Sequence, residues 1–216
     1  MGFAAASEFR RAAQRRLPRF LFDYIDGAAY GESTCGRNVS DLAAVRLRQR
    51  VLRNVADVST ATRVLEEDWS LPVALGPVGL SGMYARRGEV QAMRVATQRG
   101  IPLCLSTLSL CSLEEVATAG ARAPWFQLYI MRDRRFMNDL VDRATAAGCR
   151  TLVLTVDIPV SGLRRRDAKN GLAVPPRLTL RNALDIATKP AWAFGVMIGK
   201  RKTFGNLAAA VPTTGG

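Results

Sequence analysis

Histidine is absent from all 216 residues of this chain. No imidazole of its own can serve as a general base, a zinc ligand or the middle member of a Ser-His-Asp triad. Long apolar runs are missing too. No stretch reaches the roughly 18 residues that a membrane-spanning helix needs. The N-terminus is basic but has no apolar run of signal-peptide length, because Pro18 and acidic side chains interrupt it. The four cysteines, Cys35, Cys104, Cys111 and Cys149, lack metal-ligand spacing and read as free thiols of a reducing cytoplasm. No metal site is expected. No Gly-x-Gly-x-x-Gly follows an apolar run, which weighs against a dinucleotide-binding sheet.

Acidic residues are the scarcer charge, 18 against 31 basic ones, for a formal net charge of +13. Nearly all the basic side chains are arginine, which binds carboxylates and phosphates bidentately. They are scattered: Arg10, Arg11, Arg15, Arg16 and Arg19; Arg86 and Arg87; Arg132, Arg134 and Arg135; Arg164, Arg165 and Arg166. No helix-turn-helix, zinc-finger or RNP pattern accompanies them, so nucleic acid is not the expected partner. An anionic small substrate, an anionic cofactor or an acidic membrane surface fits the excess better.

What is present is a globular composition, 48% hydrophobic and 23% charged. The length suits one domain, or one and a half at about 150 residues each. Residues 1–70 read as a helical extension and barrel-bottom segment. Ser7 caps a helix through Arg16, Pro18 opens a second over Arg19–Ile25, and a third covers Ser40–Leu47. Val51 to Leu65 is short and β-like. Residues 71–157 hold four apolar strand-like runs, Val73–Gly76, Leu103–Ser106, Trp125–Tyr129 and Leu152–Asp157. Helical segments lie between them, over Glu89–Arg99, Leu113–Ala119 and Arg134–Ala147. Ser112 and Glu115 make a capping box, and Gly100, Gly120 and Gly148 stand at C′ positions. Residues 158–216 form a long loop region. It has a basic stretch, a turn at Pro175-Pro176, a helix over Thr179–Thr188 and an amphipathic stretch over Ala191–Ile198 before Lys200-Arg201-Lys202.

Strand starts at 73, 103, 125 and 152 describe a βα repeat with buried parallel strands. A (β/α)8 barrel and a doubly wound sheet both fit. Each run ends on polar or turn residues, namely Gly76-Pro77, Ser106-Thr107, Gln127 with Tyr129, and Thr155 with Asp157. A barrel gathers such strand ends into one ligand site on its top face. The expected fold is therefore α/β, with about the first four units of a (β/α)8 barrel.

These residues together resemble the FMN-dependent α-hydroxy-acid oxidising enzymes, the family of lactate dehydrogenases, mandelate dehydrogenase and glycolate oxidase. The segments that carry the likeness are Phe22-Asp23-Tyr24-Ile25-Asp26-Gly27, Leu75-Gly76-Pro77-Val78-Gly79, Leu105-Ser106-Thr107, Trp125-Phe126-Gln127-Leu128-Tyr129, and Leu154-Thr155-Val156-Asp157 followed by Arg164-Arg165-Arg166-Asp167. Thr203-Phe204-Gly205-Asn206-Leu207 is similar to the lactate-dehydrogenase-like bacterial branch.

The resemblance implies FMN as cofactor and a 2-hydroxy acid, L-lactate-like, as substrate, oxidised to the 2-oxo acid. Pro77, Val78 and Gly79 then lie against the flavin. Ser106, Gln127 and Thr155 hydrogen-bond its edge and tune its electronics. Tyr24 and Arg164 hold the substrate carboxylate, Tyr129 stands near the hydroxyl carbon, and Asp157 orients the catalytic histidine. Leu108 replaces the tryptophan of some short-chain oxidases, which implies a roomier pocket.

The family's histidine base, a second substrate arginine, a lysine near the flavin and the phosphate-binding loops belong to the second half of the barrel. The expectation is a truncated chain, the N-terminal part of such an enzyme, with little activity alone. It would be complemented by a C-terminal half or by oligomerisation. The alternative is an inactive half-barrel remnant or interaction module. A cytoplasmic location is expected, and the Trp192 to Lys202 stretch also suits peripheral contact with the inner face of the cell membrane. A barrel-covering helix explains that stretch equally well.

Overall fold

A computed structural model of the chain describes residues 4–157, 160, 162–171, 179–197 and 204–207. The first three helices precede any strand. In α1 (Ala6–Arg16), Glu8 lies in the first turn and Arg15 and Arg16 in the last, the charge order that suits the helix dipole. Pro18 precedes α2 (Arg19–Asp26), which buries Phe20, Leu21 and Phe22. α3 spans Ser33–Ala44 rather than Ser40–Leu47. The backbone turns extended at Val45, and exposed Leu47 offers no packing that would continue the helix. Val51, Val55 and Val58 are also exposed, and residues 51–61 form no strand, having no partner for a ladder.

β1 (Thr62–Val64) and β2 (Glu67–Trp69) form an antiparallel hairpin. Leu65 and Glu66 both take positive φ between them, the backbone that a two-residue hairpin turn requires. Then come α4 (Ser81–Tyr84), α5 (Gly88–Arg99), β3 (Cys104–Ser106), α6 (Leu113–Ala117), β4 (Trp125–Tyr129), α7 (Arg134–Ala146) and β5 (Leu152–Thr155). The strands β3, β4 and β5 are parallel and adjacent in chain order. A doubly wound sheet reverses its order, whereas a barrel adds each strand to the same side. Val73–Gly76 contributes one rung, Leu75 beside Leu103, and not a full strand.

Alternation along the strands sorts the two faces. Leu105, Phe126 and Leu128 enter the core with Val90, Met93 and Ala96 of α5, Leu113 and Val116 of α6, and Leu140 and Ala144 of α7. Each fully buried large side chain contributes about 1.5–3 kcal/mol. Ser106, Gln127, Tyr129 and Thr155 share the other face, through the register pairs Ser106 with Gln127 and Tyr129 with Thr155. Local signals set the helix ends. The Ser112 hydroxyl accepts from the Glu115 N–H at 3.2 Å, and Asp133 accepts from the Arg135 and Phe136 amides. Gly100 and Gly148 end α5 and α7 with φ of +61° and +85°. Gly120 differs from expectation. α6 gives way to Thr118, and Gly120 has no positive φ; a Cβ there would meet the Met93 side-chain tip and, at 3.0 Å, the Arg122 carbonyl oxygen.

α8 (Arg165–Lys169), α9 (Leu180–Ala187) and α10 (Pro190–Met197) follow. In α10, Trp192 and Val196 are buried and Phe194 is exposed. The Pro175-Pro176 turn and the Lys200-Arg201-Lys202 cluster lie outside the described residues. The chain divides into two compact units, Met1–Val58 with Ile158–Ile198 and Ser59–Asp157 with Gly199–Gly216.

Candidate active site

In the strand-bearing unit, three neighbouring strand ends carry one hydrogen-bonded row. The Ser106 hydroxyl donates to Gln127 Oε1 at 3.0 Å, and the Thr107 amide donates to the same oxygen at 3.3 Å. Gln127 Nε2 donates to Thr155 Oγ1 at 2.5 Å. The Thr107 hydroxyl donates to the Gln127 carbonyl oxygen, which locks β3 to β4 at this level. Ser106, Thr107 and Gln127 are buried, while Thr155 is half-buried. Gln127 therefore acts as the hub, and the Thr155 hydroxyl is the member open to a ligand.

The Gly76–Gly79 loop stands beside this row. Val78 is exposed, and a Cβ on Gly76 would meet nothing within 4 Å. A Cβ on Gly79 would lie 3.5 Å from Leu108 Cβ and 3.9 Å from Ser106 Oγ. The Leu80 amide donates to the Leu108 carbonyl at 3.0 Å, and the Leu108 amide to Ser106 Oγ at 3.1 Å. Gly79 thus brings backbone without a side chain next to Leu108 and Ser106, and Gly76 is open on its own side. Tyr129 is half-buried at the end of β4, beside Thr155 in register. Asp157 is exposed and makes no hydrogen bond to another described residue.

These residues suit a flat heteroaromatic ring with alternating carbonyl and N–H groups. Hydroxyls can donate or accept, an amide does both, and glycine backbone admits a ring face closely. The fit rests on the open backbone at Gly76 and on the Thr155 O–H and second Gln127 N–H that the row leaves over. Among the described residues no group of three or more cysteines and carboxylates is placed to hold a metal ion.

In the helical unit, the three consecutive arginines take three different roles. Arg164 Nε donates to Asp167 Oδ2 at 2.5 Å, and Nη2 donates to the Tyr24 and Gly27 carbonyls. Its guanidinium lies over the Tyr24 ring, 4.8 Å from the centroid. Arg166 pairs with Asp26 at 2.8 Å and with Glu32. Arg165 is exposed. A hydrogen bond from Arg10, with a second from Arg166, holds the Asp26 carboxyl below its usual range.

Two contributors are not among the site residues expected from the sequence, although Asn206 lies in the Thr203–Leu207 segment that carries the family likeness. Asn206 is fully buried and accepts from the Leu113 amide at 2.8 Å. Its Nδ2 donates to Ser109 Oγ at 2.9 Å and toward the Ser106 and Thr107 carbonyls at 3.4 and 3.5 Å. Nothing periodic marks an asparagine that acts across about a hundred residues. Glu89 reads as an ordinary acid in a first helical turn, yet it is buried.

Comparison with known proteins gives a consistent result. The family model of FMN-dependent dehydrogenases matches residues 13–213. The L-lactate dehydrogenase of Xanthomonas oryzae pv. oryzae (strain PXO99A) is 57% identical over 210 residues, which are 97% of this chain and 54% of that protein. The L-lactate dehydrogenase of Pseudomonas aeruginosa (strain LESB58) is 54% identical, over 97% of this chain and 55% of its own. Among solved structures, the monotopic membrane protein (S)-mandelate dehydrogenase aligns with a TM-score of 0.91 at 31% identity, covering 96% of this chain and 56% of that one. A mandelate oxidase aligns with a TM-score of 0.76 at 36% identity, over 87% of this chain and 55% of its own. The chain spans about half the length of the curated relatives it matches.

Proposed function

This chain belongs to the family of FMN-dependent dehydrogenases, and from that premise we propose that it supplies flavin- and carboxylate-recognition residues for oxidation of an L-lactate-like 2-hydroxy acid to the 2-oxo acid. The Ser106–Gln127–Thr155 row beside the open Gly76–Gly79 backbone carries this reading. Bound FMN would supply the acceptor for the reducing equivalent that leaves the substrate's α-carbon. Thr155 and the Gln127 amide would orient the ring edge, and Pro77, Val78 and Gly79 would lie along its face.

Tyr129 offers a phenol to the substrate hydroxyl. Leu108, beside Gly79, shapes the space for the side chain and admits acids larger than lactate. Arg164 and Tyr24 are the carboxylate group's partners. Asp167 and the Tyr24 and Gly27 carbonyls engage Nε and Nη2 of Arg164, which fixes the guanidinium plane and, among the described residues, leaves Nη1 for an anion. Asp157 is free to orient an imidazole, and these 216 residues contain none. The base therefore comes from residues other than these.

Turnover tests this. The 216-residue chain, given FMN, a 2-hydroxy acid and an artificial electron acceptor, is expected to oxidise the acid no faster than free FMN does. Robust turnover by the chain alone would refute the assignment of the base elsewhere. Leu152 and Leu154 of β5 and Val156 just after it are exposed and offer a surface for further βα units or a second copy.

Peripheral membrane contact is a second element of the proposal. No helix among the described residues is long and apolar enough to cross a membrane. Leu180, Leu184 and Phe194 on α9 and α10 are nonetheless exposed, Phe194 at 70%. Trp192 is 4% exposed and is withdrawn from the membrane-facing set. Flotation with anionic vesicles should fall when Leu180, Leu184 and Phe194 are changed together to serine. Unchanged flotation of that variant would exclude this surface.

A further inference from the structure

The flavin wall consists of two loops from different places in the chain, and one buried side chain fastens them. Glu89 lies in the first turn of α5 and is 3% exposed. Its Oε1 accepts from the Gly82 amide at 3.0 Å and from the Leu110 amide at 3.0 Å. Gly82 belongs to the segment just after Pro77-Val78-Gly79. Leu110 follows Ser106, Thr107 and Leu108. One carboxylate oxygen therefore bridges the two segments whose preceding residues form the proposed flavin wall.

One of the two segments it joins carries a strained backbone. Leu80 adopts φ +60°, a left-handed backbone that a branched side chain takes only when its surroundings impose it. Arg87, just before α5, does the same at φ +52°. The Leu80 amide is tied to the Leu108 carbonyl, and the Ser81 hydroxyl is tied to the Val78 carbonyl at 2.9 Å. Packing around the bridge leaves little slack. A Cβ on Gly82 would meet Leu110 Cβ at 3.1 Å and Glu89 Oε2 at 3.2 Å. That Oε2 is buried without a hydrogen-bond partner among the described residues, and the Cys111 thiol lies close enough to the carboxylate to feel its charge.

We propose that Glu89 is a positioning residue for flavin binding, its carboxylate holding the Gly76–Gly82 loop against the Ser106–Leu110 loop so that Gly79 backbone and the Ser106–Gln127 pair face the same ring. The proposal rests on the flavin reading of this wall. Glu89 itself touches no flavin atom and acts through the amides of Gly82 and Leu110.

The test combines FMN titration, followed by quenching of flavin fluorescence, with amide hydrogen exchange in the flavin-free chain. Glu89→Ala should weaken FMN by about tenfold or more, as expected for a displaced recognition loop. It should also speed exchange at Gly82 and Leu110 while leaving Phe126 and Leu128 in the core unchanged. Glu89→Gln keeps an oxygen acceptor for both amides and should restore affinity and protection together. Should Glu89→Ala fail to fold, Glu89→Asp, too short to span both amides, is read the same way. Faster exchange at Gly82 and Leu110 with unchanged FMN affinity would overturn the proposal and leave Glu89 a packing residue. Gln127→Ala separates the two layers. If it weakens FMN and the Glu89 variants do not, this inference alone fails. If neither weakens FMN, the flavin reading has failed and this inference falls with it.

Discussion

The Arg164 guanidinium lies 4.8 Å from the centroid of the Tyr24 ring while its Nε holds Asp167 at 2.5 Å. A flat, five-donor cation can stack, pair and bond two carbonyls at once, and an ammonium cannot. Asp167 is buried, with Oδ1 lacking a hydrogen-bond partner among the described residues, so Arg164 is its charge partner there. Arg164→Lys should therefore destabilise the chain by about 1–3 kcal/mol in urea unfolding. Arg165→Lys, at an exposed position, should leave the midpoint unchanged. Equal midpoints for the two variants would show that the tie to Tyr24 and Asp167 is idle.

Asn206 supports the strand-end row from behind. Its side chain closes bonds to the Leu113 amide and to Ser109, and its carbonyl takes a 3.1 Å bond from Arg143. Asn206→Ala would leave the Leu113 amide without its acceptor and Ser109 Oγ without the donor that reaches it, while the Ser109 hydroxyl keeps its own bond to the Cys111 carbonyl. A loss of about 1–3 kcal/mol is expected, read by chemical unfolding. Faster amide exchange at Leu113 should accompany it. Asn206→Asp, which keeps the acceptor for Leu113 and loses the donor, should fall between.

Glu114 gives a pH signature. A hydrogen bond from Arg143, at 2.8 Å, is the largest cause that holds its carboxyl down at about 2, against 4.5 for the free group. Its folded value is depressed, so its contribution to stability is present above about pH 4.5 and is lost as pH falls toward 2. The side chain is half-exposed, which limits the effect to about 1 kcal/mol or less. Arg143→Met should flatten stability against pH across that window. An unchanged slope between pH 5 and pH 2 would count against the pair.

The thiols should divide three to one. Burial pushes Cys104 and Cys149 up to about 11 and Cys111, beside Glu89, to about 12, so all three stay protonated near neutral pH. Cys35 is exposed. A thiol reagent at pH 7.5 should modify Cys35 in the folded chain and all four cysteines in denaturant. Labelling of Cys104 or Cys111 in the native state would show that β3 and the loop behind it open readily.

These relationships differ in how far the sequence exposes them. The cap at Ser112, the left-handed glycines at 100 and 148 and the apolar faces of α5 and α7 depend on neighbours a few residues away, so they were legible. Polar strand ends at Ser106, Gln127 and Thr155 were legible because they interrupt apolar runs. Three consecutive arginines look alike in a sequence and separate only when Asp167, Asp26 and Glu32 come to meet two of them. Val73–Gly76 reads as a strand but makes a single rung, because pairing needs a partner over its length. Glu89 owes its role to amides 7 and 21 residues away and Asn206 to groups about 100 residues away, contacts that no periodic pattern records.

The central claim is that the Ser106–Gln127–Thr155 row and the Gly76–Gly79 backbone recognise a flavin. FMN titration of the folded 216-residue chain, alongside Gln127→Ala and Thr155→Val, tests it most directly. Weak but saturable quenching of flavin fluorescence by the chain is expected, with a clear loss of affinity in both variants and the core fold retained by circular dichroism. Quenching that neither substitution alters would contradict it.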